Sequence, residues 1–242
     1  KTAVGNNALA NDTSLSPNIA IGSGALQLNV GGKSLVAIGA NALASNNASG
    51  NVGVGTAALE LNLVSNNNTA VGDSSLRNNI SSDNTAVGAK ALYSNTSGFW
   101  NNGIGSGALQ NNITGSQNNA LGTFALNTNT AGSANVAIGA FTLSNHKTGN
   151  NNIAIGSNAL LFDTTGTANV AVGSLAMFNS RSIDNSVAVG HNALQSNKNG
   201  TSLVAIGASA LQNDTAGNYN TGVGASALQN STNGQQNTAL GY

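Results

Sequence analysis

Apolar and polar positions along this chain recur with a single spacing. A small residue, an aliphatic residue and a glycine form a triplet ending at Gly5, Gly22, Gly39, Gly55, Gly72, Gly88, Gly105, Gly122, Gly139, Gly156, Gly173, Gly190, Gly207, Gly224 and Gly241. The steps are 17 residues, except for steps of 16 from Gly39 to Gly55 and from Gly72 to Gly88. Taking each such glycine as position 0, position −1 is always Val, Ile or Leu, and position −2 is always Ala or Gly. Position +4 is Leu, or Met at Met177, and position +3 is Ala in all units but those of Ser75 and Thr142. Asn is frequent at −4 and +7, and a second glycine often stands at +10.

This pattern predicts structure column by column. Alternation around a β-branched centre, with Thr, Val or Ile often at −3, predicts a short strand ending at the glycine. A glycine kept in every copy predicts a corner with positive φ or close backbone passage. The Asn at −4 is expected to adopt a left-handed turn conformation, and the glycine at +10 to mark a far turn. The aliphatic −1 column is read as core, together with the Ala-Leu pair. The Ala/Gly column at −2 is read as a flat face on which further copies of the chain pack. About six residues between glycine and the next turn are too few for a helix, since isolated helices need ~12 residues or more. A second short strand or irregular edge is therefore expected there.

Units of this length that cannot bury their own apolar face must stack on their neighbours. The prediction is an all-β parallel β-solenoid, or β-roll, of about fourteen 17-residue rungs. Residues 1–242 are expected to form a single elongated repeat domain, an excerpt of a longer fibre protein. At ~4.8 Å per turn fourteen rungs reach ~67 Å. Thin rungs bury little each, so homo-oligomerisation is expected, with a trimer preferred.

Composition narrows the chemistry. Only 6% of residues are charged, and seven Lys/Arg balance seven Asp/Glu. This balance argues against nucleic acid and other polymeric acids as partners. With no Cys, neither disulfides nor thiolate metal sites arise. No apolar run approaches the ~20 residues of a membrane helix, so no membrane insertion is expected within this segment.

His146, at +7, and His191, at +1, are read as substitutions on a polar surface. Asp12, Asp163 and Asp214 share the +7 column but stand several rungs apart. No nucleophile-base pair, paired acids or phosphate loop is present. The expectation is a non-enzyme with no catalytic, metal-binding or cofactor-binding residues and no cofactor. The scarce aromatics are more informative: Tyr93, Phe99 and Trp100 fall in one unit, and an exposed Trp beside a Phe could stack on a sugar ring. These three are the candidate ligand contacts.

The phrase Asn-Thr-Ala-Val-Gly at 68–72 and 84–88, with its variants at 135–139 and 152–156, resembles the head repeats of YadA-like trimeric autotransporter adhesins. Related β-roll repeats occur in bacterial and phage surface fibres. The resemblance covers essentially the whole chain, although the period here is longer than in those heads. It implies a left-handed β-roll, three chains around one axis, located outside the cell or on a virion and used for attachment. The expected function is a structural, adhesive fibre segment whose partner is a glycan or protein receptor on a host or prey surface. The alternative is an ice-binding solenoid, against which the mixed Thr, Ile, Val and Asn of the −3 column counts.

Overall fold

The computed structural model describes residues 1–242. Its regular elements are short strands, with no helix. They fall into two units, Lys1–Asn118 and Asn119–Tyr242. The first contains β1 (Thr2–Val4), β2 (Ile19–Ile21), β3 (Val36–Ile38), β4 (Val52–Val54), β5 (Thr69–Val71), β6 (Thr85–Val87) and β7 (Asn102–Ile104). The second contains β8 (Asn119–Leu121), β9 (Val136–Ile138), β10 (Ile153–Ile155), β11 (Val170–Val172), β12 (Val187–Val189), β13 (Val204–Ile206), β14 (Thr221–Val223) and β15 (Thr238–Leu240).

Within each unit successive strands pair in parallel and in register, Ala3 beside Ala20 in the first and Ala154 beside Ala171 in the second. Each repeat is thus one turn of a parallel β-solenoid. The 16-residue repeats keep this register, with Val36 paired to Val52 and Thr69 to Thr85. The missing residue is absorbed in the loop, where no ladder bond fixes the count.

The inside and outside of the strand are reversed from the sequence expectation. Alternate strand residues face opposite ways, and it is the Ala/Gly at −2 that points inward, fully buried at Ala37, Ala70, Ala154 and Ala205. The interior has no room for more. A Cβ built on Gly53 lies 3.2 Å from both the Ala58 carbonyl oxygen and Leu43 Cγ. The aliphatic −1 column points outward, with Ile38 37% and Ile206 41% exposed. Invariance of an aliphatic residue signalled a constraint on the column but not the side it faces.

Past the glycine the chain forms overlapping tight turns, the irregular edge rather than the second short strand of the two expected alternatives. Ala25 N bonds Gly22 O (3.3 Å), Gln27 N bonds Gly24 O (3.3 Å) and Asn29 N bonds Leu26 O (3.3 Å). Intervening N–H groups reach the next turn of the solenoid, as Leu26 N does to Ala42 O at 3.0 Å. To make this path, the buried Leu at +4 adopts a left-handed backbone, with φ of 51, 52 and 53 at Leu26, Leu43 and Leu59. A bulky residue pays ~1–2 kcal/mol for that conformation, which burial of its side chain, worth ~2–3 kcal/mol, offsets. The glycine at 0 has no such alternative. Gly88 has φ +131, and a Cβ there would lie 2.6 Å from the Gly105 carbonyl carbon and oxygen, so both conformation and space require it. At +10 space alone decides: a Cβ on Gly98 would meet the Gly115 oxygen at 2.1 Å.

Two polar columns complete the interior. The Asn at −4 is buried and does not take the expected left-handed turn, which belongs to the residue before it, as at Asn67 (φ 58). Its side chain works between turns instead. Asn152 Oδ1 accepts from Asn169 N (3.0 Å), while Asn152 Nδ2 donates to Gly166 O (2.8 Å). At +7, Asn95 Nδ2 donates to Asn79 Oδ1 (2.7 Å) and Gly98 O (2.8 Å), and Asn95 Oδ1 accepts from Asn112 Nδ2 (2.7 Å). Buried amides are tolerable because nearly every polar atom is paired.

Candidate functional site

The three predicted aromatics divide between two parts of the coil. Phe99 and Trp100 meet edge to face, with ring centroids 5.0 Å apart. Trp100 occupies the left-handed corner at −5 (φ 56), and the rings are 42% and 55% exposed. Tyr93 lies at +5 on another flank, where its hydroxyl accepts from Arg77 Nη1 at 3.1 Å, while Arg77 Nε donates to Glu60 Oε2 at 2.5 Å. Glu60, Arg77 and Tyr93 form a vertical ladder across three turns. The hydrogen bond to Glu60, then that to Tyr93, holds the guanidinium pKa above its ordinary value. Tyr93 is thus committed to a partner, and Phe99–Trp100 stands apart as a small exposed platform.

Larger surfaces come from columns. The outward −1 residues make an aliphatic ridge in each unit: Ile21, Ile38, Val71, Val87 and Ile104 in the first, Leu121, Ile138, Val189 and Ile206 in the second, all exposed. Position −3 lies on the same outer face. A contiguous apolar strip of this kind is unusual on a parallel sheet, whose two faces are ordinarily covered. Sequence reading missed it by assigning the column to the core.

The flank carrying +6 and +8 differs between units. In the first it is apolar: Leu61, Leu63 and Ile80, with Ser45 and Asn78, line a groove of about 400 Å³. In the second, Thr128, Asn145, Lys147, Phe162, Thr164, Arg181, Ser182 and Asn199 line a groove of about 690 Å³. Phe162 is 42% exposed and supported edge-on by Phe178, 5.1 Å away.

His146 is the clearest departure from the expectation of a polar surface. It is fully buried in the +7 column, with Nδ1 2.7 Å from Asp163 Oδ2 and Nε2 2.9 Å from Gly149 O. A carbonyl only accepts, so Nε2 carries a proton and the Nδ1–Oδ2 contact shares another. Asp163 also accepts from Gly166 N at 3.2 Å. Burial is the largest influence on Asp163 and pushes its pKa up, partly countered by His146. The 17-residue repeat itself supplies the carboxylate partner, because Asp163 follows His146 by one period. Ser180, one period further, is buried with its hydroxyl unpaired. With all three at 0% exposure, this column is an interior device, closed to substrate.

No group of three or more His, Asp or Glu side chains is placed to hold a metal ion. No helix is long and apolar enough to cross a membrane. Comparison with known protein families, curated proteins and solved structures finds no match to this chain.

Proposed function

We propose that this chain is a structural, adhesive segment of an extracellular or virion fibre, assembled as a homotrimer around the aliphatic ridge and acting in attachment. The observation that carries this reading is the Val, Ile or Leu at −1 of successive turns, exposed at most of them and half-buried at Val54, Ile155, Val172 and Val223. An apolar side chain repeated at ~4.8 Å along the stack matches, level for level, the same ridge on a parallel second and third copy. Cyclic symmetry would bury each ridge against its equivalents. Three convergent ridges cover one another from both sides, which favours three copies over two. The Ala/Gly column first assigned to this contact lies inside the coil, so the ridge takes its place. The Asn, Ser and Thr of the outer flanks remain available to a glycan or protein receptor.

Sedimentation analysis of the full chain tests the assembly: a trimer at micromolar concentration is expected, and Ile138→Asp with Ile155→Asp should shift it to smaller species. A well-folded monomer of the unaltered chain at that concentration overturns it. Attachment is tested separately with beads coated with the chain, which should adhere to cell surfaces above uncoated controls. Equal adhesion of coated and bare beads overturns the adhesive role.

A further inference from the structure

The charges of the second unit are segregated in a way that its balanced total conceals. Residues 119–242 contain three cations, Lys147, Arg181 and Lys198, and three acids, Asp163, Asp184 and Asp214. Asp163 and Asp214 are at 0% exposure inside the coil. Asp163 faces His146, and Asp214 accepts from Gly217 N (2.6 Å) and Asn220 Nδ2 (2.9 Å). Asp184 is half-buried on a different corner, accepting from Thr167 N at 2.7 Å. All three cations, by contrast, occupy position +8 and are exposed, and the only ion pairs in the molecule are Lys1–Asp12, Arg77–Glu60 and His146–Asp163. The flank of the second unit is therefore a line of unpaired positive charge, although the chain as a whole is neutral.

We propose that this flank binds a linear acidic polysaccharide, laid along the stack in the groove of Lys147, Phe162 and Arg181. The geometry favours a polymer over a small anion. Lys147 and Arg181 are two turns apart, ~10 Å at ~4.8 Å per turn, and Lys198 is one turn beyond. One compact anion reaches one of them; a chain with a charge on every second sugar reaches two or three. Arg181 offers a planar fork suited to a carboxylate or sulfate, and Lys147 a point charge. Between them, Phe162, supported by Phe178, presents an aromatic face to the apolar side of a sugar ring. The remaining lining of Thr128, Asn145, Thr164 and Ser182 supplies hydroxyl and amide partners for sugar hydroxyls. Nucleic acid fits less well, since three cations release few counterions and one phenyl pair gives no series of stacking platforms. The balanced composition had argued against polymeric acids; burial of two carboxylates reverses that argument locally.

This inference deepens the attachment reading by naming its ligand class. The test is calorimetric titration of the full chain with oligosaccharides of a polymer alternating a uronic acid with an N-acetylhexosamine. Dextran and single-stranded DNA serve as comparison probes. The acidic oligosaccharide should bind, and Lys147→Gln with Arg181→Gln should weaken it about tenfold or more and flatten its salt dependence by about two charges. Phe162→Ala should weaken binding without changing the salt dependence, and Lys33→Gln with Lys90→Gln in the first unit should leave it unchanged. Circular dichroism of each variant confirms the fold. Absence of binding, unchanged affinity in the double variant, or DNA or dextran bound as tightly as the acidic glycan overturns the proposal. Beads that adhere equally well with the double variant would leave the attachment reading standing and remove only this ligand; beads that never adhere remove the attachment reading alone.

Discussion

The +7 column is built differently in the two units. In the first, Asp12 opens the column and Asn29, Asn46, Asn62, Asn79, Asn95 and Asn112 fill the rest of it with buried amides. In the second, His146, Asp163, Ser180 and Asp214 take places that an amide could fill, at the same depth. Both arrangements keep the local bond to the +10 peptide: Asn95 donates to the Gly98 carbonyl and Asp163 accepts from the Gly166 N–H. The coil therefore accepts several polar side chains at this depth rather than one particular residue, and Ser180 fills its place with a hydroxyl that makes no bond. The outer flank diverges in parallel, apolar around Leu63 and Ile80, basic around Lys147 and Arg181.

If the coil is common to both units and only its fillings differ, damage to the coil should cost the same in each. Gly88→Ala and Gly156→Ala both force φ near +130 on an L residue, with backbone of the next turn at 2.6 Å or less from the new Cβ. Each is expected to destabilise by about 3–5 kcal/mol in thermal unfolding. A marked difference between the two would mean that the turns are not equivalent.

The next largest effect separates the units. His146→Ala strands a buried carboxylate and should cost about 3 kcal/mol. Changing the pair together, His146→Asn with Asp163→Asn, restores the amide column of the first unit and should be neutral or stabilising by about 1 kcal/mol at neutral pH. Its pH dependence follows from the raised pKa of Asp163. A folded chain that holds this proton more tightly than the unfolded chain is favoured below the ordinary carboxylate range, and that contribution fades as pH rises through the folded value. Unfolding midpoints measured from pH 3 to 7 should accordingly show a smaller decline with rising pH for the double variant. An identical pH profile would contradict the assignment.

Smaller again, Asn95→Ala removes three side-chain bonds in the first unit and should cost about 1–3 kcal/mol, read locally by amide exchange at Asn79 and Asn112. Smallest are the flanks. Leu63→Thr and Lys147→Thr should each stay within about 0.5 kcal/mol, since these residues are exposed and shape what the surface meets rather than what holds the coil.

Periodicity made the parallel solenoid legible, because only stacked equivalent turns explain triplets such as Ala-Val-Gly kept in register over the whole chain. The requirement for glycine at 0 was equally visible. The side faced by the Val/Ile column was not, since a three-residue strand is too short for alternation to reveal which face is buried. Nor did leucine at +4 announce a left-handed backbone, because Leu is a poor choice there on local grounds and only its burial explains it. Among the candidate contacts, Phe99 and Trp100 were singled out from rarity alone, and the fold adds that their rings are exposed and meet edge to face. The groove of Lys147 and Arg181 escaped because its charges lie 34 residues apart in sequence and its would-be counter-charges are hidden by folding.

The buried amide ladders bear on how this molecule ages. Asparagine decays when its backbone neighbour's nitrogen attacks the side-chain carbonyl carbon, which requires both groups to be free to turn toward each other. At Asn152 the side-chain oxygen and nitrogen are each held by the adjacent turn, and the nitrogen of the following residue, Ile153, is bonded to Asn169 O at 2.8 Å. We expect deamidation to spare these positions and to begin at outward asparagines whose following peptide nitrogen is not held in this way. A protein so rich in its most perishable amide residue would then owe its shelf life to having placed that residue indoors.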